Sequence, residues 1–381
     1  TTVIVVGLVN SGILTLSAAV GIIMGANIGT TITGQILRLG DLENNQSLGT
    51  AMEFITPTYL APMLAIIGII IILIAKKDSI RAVGDIGMGL GILFTGMLSL
   101  TDAVKPLSEL EAFRNLFASL ENPILGILAG TVVTALIQSS SASIGILQAV
   151  SATGVLKFAA AFPIIMGQNI GTCITAIISS VGANKNAKRA ALVHLSFNVI
   201  GTTVWLAVFC AVKAIFNPLL FNESISLFGI AAAHSAFNIL CTLLLLPMSG
   251  LLEKLVIRLV PDSKTPERQT ELDERLLATP SIALERCNSI AVQMANTSVE
   301  ALKMSISALS GYTSEAAEKI RADEEATDHH EDILGSYLVK LSSSRISEAD
   351  SAEAAKLLKI IGDFERISDH AVNILESAEE M

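Results

Sequence analysis

Two short clusters of small and polar residues lie inside otherwise apolar sequence, and their side chains are the ones best suited to bind a ligand. The first is Gln-Ser-Ser-Ser at 138–141. The second is Gly-Gln-Asn-Ile-Gly-Thr at 167–172. Such residues are costly inside a bilayer unless protein or an aqueous cavity surrounds them. We therefore expect backbone groups, amides and hydroxyls to meet a ligand here.

The two clusters favour ligands of opposite charge. A hairpin tip at 138–141 leaves the first N–H groups of the next helix unpaired, with the positive end of the helix dipole behind them. That geometry suits an anion, phosphate above all, and the serine hydroxyls and the Gln138 amide add donors. A helix interruption at 167–172 would free carbonyls that, with Asn and Thr oxygens, suit an alkali cation. The alternatives are a small-residue packing face and a glycine packing notch.

The second cluster occurs twice in the chain. Shifted by 142 residues, 22–33 overlays 164–175 with ten of twelve positions identical. The same shift places the counterpart of the Gln-Ser-Ser-Ser run just before Thr1. We therefore expect a second Gln-Ser-Ser-Ser tip in residues that precede Thr1.

Composition indicates an integral membrane protein with an acidic tail. Hydrophobic residues make up 51% of the chain and charged residues 16%, and the mean hydropathy is +0.63. Residues 1–250 carry 11 Lys/Arg and 10 Asp/Glu, whereas 251–381 carry 14 and 25, a net charge of −11. This balance disfavours a nucleic-acid partner. Four scattered cysteines form neither a disulfide framework nor a zinc site, and no nucleophile–base pair emerges, so we expect no enzyme.

Apolar segments of membrane length predict an all-α, polytopic fold. The predicted spans are 13–38, 51–75, 82–101, 155–181, 187–215 and 225–248, and 123–151 is predicted as a re-entrant hairpin with its tip at the serine run. Basic loops near 76–81, 185–189 and 254–258 place those loops inside. The two copies then cross in opposite directions. The result is an inverted-topology repeat, typical of secondary transporters, with repeat 1 at about 1–101 and repeat 2 at about 123–250.

The acidic tail is predicted as a charged linker at 251–280 and a soluble helical-bundle domain at 281–381. Apolar residues at helical spacing, with breaks at Gly311 and 342–344, indicate about three helices. Carboxylates recur four residues apart, in the sets Glu324, Asp328, Asp332 and Glu365, Asp369. Like charges at this spacing destabilise a helix unless a cation neutralises them. The alternative is a solvated acidic face.

The Gln-Ser-Ser-Ser run, the paired Gly-x-Asn-Ile-Gly-Thr segments and the stretch 187–198 resemble the bacterial type II sodium-dependent phosphate cotransporter family over about residues 1–250. The resemblance implies Na⁺-coupled uptake of inorganic phosphate across the lipid bilayer of the cell inner (plasma) membrane. It implies phosphate contacts at Gln138, Ser139, Ser140 and Ser141. It implies sodium contacts at Asn27, Thr30, Thr31, Thr33, Asn169, Thr172 and Thr175.

Residues 363–371, Asp-Phe-Glu-Arg-Ile-Ser-Asp-His-Ala, resemble the signature of PhoU-like phosphate-regulatory domains. The resemblance implies a cytoplasmic regulatory domain. Such domains often contain two three-helix units, so we expect either that the tail continues beyond Met381 or that two tails pair in a homodimer. The resemblance also implies a divalent or iron-type metal held by Glu324, Asp328, Glu365 and Asp369.

Two pairs remain outside these motifs: His194 with Asn198, and His234 with Asn238, in a repeated His-x-x-Phe-Asn pattern. Intramembrane histidines are functional candidates, but we favour hydrogen bonds between packed helices. Two alternatives to phosphate symport remain open. One is symport of another oxyanion, such as sulfate or arsenate. The other is a membrane-anchored phosphate sensor without transport.

Overall fold

The computed structural model describes residues 1–38, 56–262, 272–344 and 346–381. Every regular element in these ranges is helical, which confirms the all-α prediction. The chain divides into two compact units. One comprises Thr1–Val9 and Leu14–Thr265, and the other comprises Asn10–Ile13 and Pro266–Met381.

Eleven α-helices lie in the apolar part of the described chain. They are α1 (Thr2–Asn10), α2 (Leu16–Leu37), α3 (Pro57–Ile74), α4 (Asp78–Val104), α5 (Glu111–Ser119), α6 (Pro123–Ile137), α7 (Ser140–Ser151), α8 (Phe158–Ser179), α9 (Lys185–Ile215), α10 (Leu227–Leu245) and α11 (Ser249–Leu259). The largest buried cluster joins α1, α2, α9 and α10 through side chains such as Val6, Ile23, Phe197 and Phe237. This cluster sets the positions of the helices that carry the repeated motif.

Several of these helices could cross a membrane. Five helical stretches among the described residues have the necessary length and apolar composition: Leu16–Leu37, Ser79–Glu109, Phe158–Ser179, Lys185–Ile215 and Leu227–Leu259. A sixth candidate is the pair α5 and α6, which is bent by 107°. The predicted span at 51–75 is represented by α3, and its residues 51–55 lie outside the described ranges. The apolar part is thus that of a multi-pass membrane protein.

The internal repeat extends from sequence to local structure. Helices α2 and α8 each have 22 residues, and a shift of 142 brings both ends of one onto both ends of the other. The turns before them match too, since Gly12 and Gly154 both have φ of +74°, a conformation that favours glycine. The opposite membrane orientation of the two copies stays a prediction.

The predicted interruption of the helices at 25–30 and 167–172 is wrong, because α2 and α8 run through these segments without a break. The polar side chains bond within their own helix instead. Asn27 Nδ2 donates to Ile23 O (3.0 Å) and Thr30 Oγ1 to Ala26 O (3.0 Å). The equivalent atoms of α8 make the same two bonds, at 2.9 and 2.8 Å. Because these side-chain donors bond to carbonyl oxygens of their own helix, both helices stay continuous.

The glycines of the second copy allow α6 to pack closely on α8. A Cβ atom added at Gly167 would stand 2.1 Å from Ile127 O, and one added at Gly130 would stand 2.1 Å from Ile164 O. The packing notch that the sequence left as an alternative is therefore present in α8. In α2, by contrast, a Cβ at Gly25 would meet no described heavy atom within 4 Å.

Helix α11 occupies the first part of the range predicted as a linker. Its Leu252 and Val256 are buried in the core of the first unit. The buried Arg189 at the start of α9 donates from Nε and Nη2 to Val260 O (2.9 and 2.7 Å) and from Nη2 to Asp262 Oδ1 (2.6 Å). These bonds attach the end of α11 to α9.

The tail contains three long helices: α12 (Pro280–Ala308), α13 (Ser314–Ser342) and α14 (Glu348–Glu380). Their number and the breaks between them confirm the prediction of three helices. Ala301, Ile320 and Leu375, one from each helix, are fully buried in a shared core.

Candidate functional site

The Gln-Ser-Ser-Ser run forms the connection between α6 and α7. Gln138 ends α6 in the left-handed region, with φ 56° and ψ 22°, and its N–H donates to Thr134 O (2.8 Å). Ser139 is extended and caps α7, where its hydroxyl accepts from the backbone N–H of Ala142 (3.2 Å). A left-handed residue other than glycine costs about 1 kcal/mol or more and persists only where its surroundings hold it. The two-helix arrangement matches the predicted hairpin; its re-entrant position in the membrane stays a prediction.

Buried side chains attach this tip to the second repeat helix. Ser143, in the first turn of α7, shares a hydrogen bond with Thr134 through their hydroxyls (2.7 Å). Gln168 of α8 donates from Nε2 to Ser143 Oγ (2.8 Å) and Ser143 O (3.0 Å). Gln168 is one of the two positions at which the repeat copies differ, the other copy having Ala26. The amide at this position therefore belongs to the tip's attachment and is needed only in the second copy.

The tip and both repeat helices meet at a cavity of about 280 Å³. Its lining comes from α1, α2, the tip, α8 and α9. The lining residues are Thr1, Thr2, Val3, Ala26, Asn27, Thr30, Gln138, Ser139, Ser140, Thr172, Thr175 and His194. No Asp, Glu, Lys or Arg side chain occurs among these described residues. Among the described residues, the groups that can meet a ligand's charge here are hydroxyls, amides, an imidazole and the N-terminal end of α7.

The structure brings most of the predicted phosphate and sodium contacts to this cavity. Of the predicted phosphate contacts, Gln138, Ser139 and Ser140 line it. Of the predicted sodium contacts, the lining residues are Asn27, Thr30, Thr172 and Thr175. Ser141, Thr31, Thr33 and Asn169 are not among the lining residues.

The residues away from the lining have local roles in their helices. Thr31 is buried and donates to Ile28 O (2.7 Å). Asn169 is also buried and donates to Ile165 O (2.9 Å). Repeat partners therefore differ in position, since Asn27 faces the cavity and Asn169 does not.

His194 lines the cavity, although its sequence pattern favoured a packing role. Its Nε2 atom lies 3.4 Å from Asn27 Oδ1, and Asn198 Nδ2 lies 3.5 Å from the same oxygen. Both side chains are buried. The sequence signal that could have identified His194 was the His-x-x-Phe-Asn pattern. His234 and Asn238 have the same pattern but are not among the lining residues. Only packing distinguishes the two pairs.

The predicted carboxylate pairs of the tail face each other across α13 and α14. Burial raises the pKa of Glu324, and the charges of Asp369 and Asp328 raise it further. Burial also raises the pKa of Glu365, with Asp369 contributing through its charge and a hydrogen bond. The four side chains thus lie close enough to repel one another when ionised.

A metal ion would relieve this repulsion, but the described residues contain no group of three or more His, Cys, Asp and Glu side chains that could hold one. The arrangement as it stands does not fit the metal implied by the sequence resemblance. The metal-binding role of Glu324, Asp328, Glu365 and Asp369 stays a prediction.

Comparison with known families agrees with the two-part architecture. The sequence profile of the Na⁺/Pi-cotransporter family matches residues 1–102 and again 96–246, and that of the PhoU domain matches residues 291–378. The chain belongs to the Na⁺/Pi-cotransporter family. The first match to the family profile contains α2, and the second contains α8, the other copy of the repeated helix.

Individual members of known families are similar to this Na⁺/Pi-cotransporter chain over different shares of its length. The putative inorganic phosphate export protein YjbB of Escherichia coli (strain K12) is 25% identical over 382 aligned residues, which cover 97% of this chain and 65% of that protein. The uncharacterized protein YqeW of Bacillus subtilis (strain 168) is 28% identical over 260 residues, 68% of this chain and 78% of that protein. The sodium-dependent phosphate transport protein 2A of Rattus norvegicus is 41% identical over 95 residues, 23% of this chain and 15% of that protein. No solved structure matches the chain significantly.

Proposed function

We propose that this chain is a secondary transporter that moves inorganic phosphate together with Na⁺ through the cavity at the Gln-Ser-Ser-Ser tip. The observation that carries the proposal is the convergence of this tip and both copies of the repeated helix on one uncharged, polar cavity. Family membership and a relative named as a sodium-dependent phosphate transport protein support the same substrates.

Phosphate is proposed to bind at the tip because the tip supplies donors. The first N–H groups of α7 have no partner within their helix, and the helix dipole favours negative charge at this end. Ser139 and Ser140 add hydroxyls, and Gln138 adds an amide N–H. Ser141 does not line the cavity. Its proposed contribution is its backbone N–H, one of the first N–H groups of α7.

Na⁺ is proposed to bind the threonine oxygens because their hydrogens are already in use. Thr30, Thr172 and Thr175 donate their hydroxyl hydrogens to Ala26 O, Gln168 O and Thr172 O of their own helices. The oxygens that these side chains present to the cavity are therefore acceptors, which suit a hard cation. Asn27 Oδ1 adds another acceptor, since the amide's Nδ2 is directed to Ile23 O. Thr31, Thr33 and Asn169 have no such place on the lining, so we expect smaller effects from their substitution.

The number of Na⁺ ions per phosphate sets how the membrane potential acts on transport. Moving a phosphate dianion into a cell with a negative interior costs about 4.6 kcal/mol per 100 mV, twice the single-charge figure. Two Na⁺ ions cancel this cost, and a third makes uptake voltage-driven. We propose uptake into the cell with at least two Na⁺ per phosphate. Export is the second candidate, because the E. coli relative is named a putative inorganic phosphate export protein. The membrane potential would drive export if fewer than two Na⁺ accompany each phosphate, because net negative charge then leaves the cell.

The test of the substrate and site is radiolabelled phosphate uptake into proteoliposomes with an inward Na⁺ gradient. Ser140→Ala should reduce uptake about ten-fold or more, since a hydrogen bond to a charged group contributes about 1.5–3 kcal/mol. Ser151→Ala, at the other end of α7 where the hydroxyl donates to Gln148 O, is the matched control and should leave uptake unchanged. Equal uptake by wild type and Ser140→Ala would contradict the site. Uptake that sulfate suppresses as well as phosphate does would favour a general oxyanion symporter.

Direction is tested in the same vesicles with the membrane potential clamped by K⁺ and valinomycin. Coupling to three Na⁺ predicts faster uptake when the interior is made negative, and coupling to two Na⁺ predicts no response to voltage. An opposite response to voltage would support export, and a wild-type protein with no phosphate flux would leave only the sensor.

We further propose that the tail is a cytoplasmic PhoU-like regulatory domain. Its support is the PhoU profile match at 291–378 and the basic loops that predict an inside location for 254–258. Pairing of two tails in a homodimer follows from the resemblance. Phosphate flux with and without residues 281–381 tests regulation, and sedimentation of the detergent-solubilised chain tests the dimer.

A further inference from the structure

We propose that His194 is a positioning residue that, with Asn198, directs the Asn27 side chain toward Na⁺. The inference rests on the proposed function and names the part of α9 that acts on the sodium site. It also separates Asn27 from its repeat partner Asn169, which has the same local sequence but lies off the cavity.

The orientation of the Asn27 amide is determined by its helix. Because Nδ2 donates to Ile23 O at 3.0 Å, the atom that faces α9 is Oδ1, and the same bond in Asn169 shows that this orientation belongs to the repeat. An amide oxygen can only accept. His194 Nε2, at 3.4 Å from Oδ1, must therefore carry the hydrogen, and Asn198 Nδ2 at 3.5 Å is a second donor.

The contacts from His194 and Asn198 orient Asn27 Oδ1 but leave it able to bind a cation as well. Both separations are longer than is usual for N–H···O bonds, so each contact is weak and the oxygen keeps most of its capacity to attract a cation. His194 is only 3% exposed and its Nδ1 atom has no hydrogen-bond partner among the described residues. The ring therefore makes its one side-chain hydrogen bond to Asn27, and this bond is the polar contact that accounts for its location.

The second His-x-x-Phe-Asn copy provides a matched control. His234 is buried to the same degree, at 2% exposure, and its Nδ1 also lacks a partner among the described residues. It packs near Gly34, away from Asn27 and the cavity lining. A change at His234 therefore reproduces the cost of altering a buried histidine without touching the sodium ligand.

The experiment compares His194→Gln with His194→Asn. Glutamine can place its amide N–H where the imidazole Nε2–H was, whereas the shorter asparagine reaches only the position of Nδ1. His194→Asn should raise the Na⁺ concentration for half-maximal phosphate uptake about five-fold, the effect of one lost neutral hydrogen bond. His194→Gln and both equivalent changes at His234 should stay within about two-fold of wild type. The phosphate concentration for half-maximal uptake, at saturating Na⁺, should not change.

A double-variant comparison tests whether His194 acts through Asn27. In an Asn27→Ala background, His194→Asn should cause no further loss, because the interaction is already absent. If His194→Asn does not reach the membrane, Asn198→Ala, which removes the second donor to the same oxygen, should give the same rise in the Na⁺ requirement. Stabilisation of the purified protein by NaCl against thermal unfolding, with choline chloride as the control, measures Na⁺ binding without transport.

Three results would overturn the inference: equal behaviour of His194→Gln and His194→Asn, equal shifts from His234, or additive effects with Asn27→Ala. A wild-type protein without Na⁺-dependent phosphate uptake would instead overturn the proposed function. The two failures are therefore distinguishable.

Discussion

Gln138 has both an unusual backbone conformation and a side chain at the cavity. Its left-handed φ of 56° turns the chain between α6 and α7, and Ser139 then caps α7. Glycine would adopt this conformation without strain, so the turn alone does not account for a glutamine here. The amide is the property that glycine cannot replace, and the cavity is the place where it is exposed to a ligand.

Substitution at Gln138 can separate backbone strain from the amide's chemistry. Gln138→Gly and Gln138→Ala both remove the amide, so we expect both to lose phosphate uptake. Gln138→Gly should be more stable than Gln138→Ala by about 1 kcal/mol, because only alanine has the left-handed steric cost. Denaturant unfolding of the purified variants measures the difference. A more stable Gln138→Ala would show that the left-handed turn is absent.

At the scale of helices, α2 and α8 have equal lengths and share two side-chain-to-backbone hydrogen bonds but have different neighbours. Helix α8 is covered by α6, and Gly167 and Gly171 contact its backbone at distances that exclude a side chain. The corresponding Gly25 and Gly29 of α2 have no described atom within 4 Å of the added Cβ. Among the described residues, the glycines of α8 are therefore required for packing against α6, whereas no described element covers those of α2.

This difference predicts opposite effects of the same substitution in the 381-residue chain. Gly167→Ala should destabilise the protein by about 1–3 kcal/mol, since its Cβ would meet Ile127 O and the backbone must move. Gly25→Ala should be neutral or stabilise by up to about 1 kcal/mol, because alanine has the higher helix propensity. Denaturant unfolding in detergent compares the two. Equal losses would mean that α2 is covered as α8 is.

At the scale of the whole molecule, charge is distributed by region and by loop. Residues 251–381 carry 25 Asp/Glu against 14 Lys/Arg, whereas the apolar part is nearly balanced and has its basic residues in short loops. Since positive loops stay inside, the loops near 76–81 and 185–189 and the tail should share the cytoplasmic side. The two repeat copies should then cross the membrane in opposite directions, an arrangement typical of secondary transporters with a midplane site.

Labelling of single cysteines with a membrane-impermeant maleimide tests this arrangement. The background is Cys210→Ser, which removes the exposed native cysteine of the described chain. Glu223→Cys should react in intact cells, whereas Lys77→Cys and Ser310→Cys should react only after permeabilisation. All three positions are exposed, so access to the reagent depends on the side of the membrane. Reaction of Ser310→Cys in intact cells would place the tail outside and reject the topology.

The sequence by itself determined the features that depend on composition and local spacing. Apolar length indicated the membrane part, the 142-residue shift identified α2 and α8 as copies, and helical periodicity indicated the three tail helices. The tip at Gln138 was also readable, because a run of helix-capping residues inside apolar sequence indicates that one helix ends there and another begins. Each of these signals is a property of a continuous segment.

Tertiary structure decided the questions in which two segments share a motif. Asn27 and Asn169 bond to their own helices in the same way, and His194 and His234 share one motif, so the motifs do not predict which member of either pair reaches the cavity. Packing of α9 against α2 brings His194 and Asn27 together at the cavity. The breaks predicted in the repeat helices were wrong for a related reason: side chains that bond within an intact helix look, in sequence, like side chains that interrupt one.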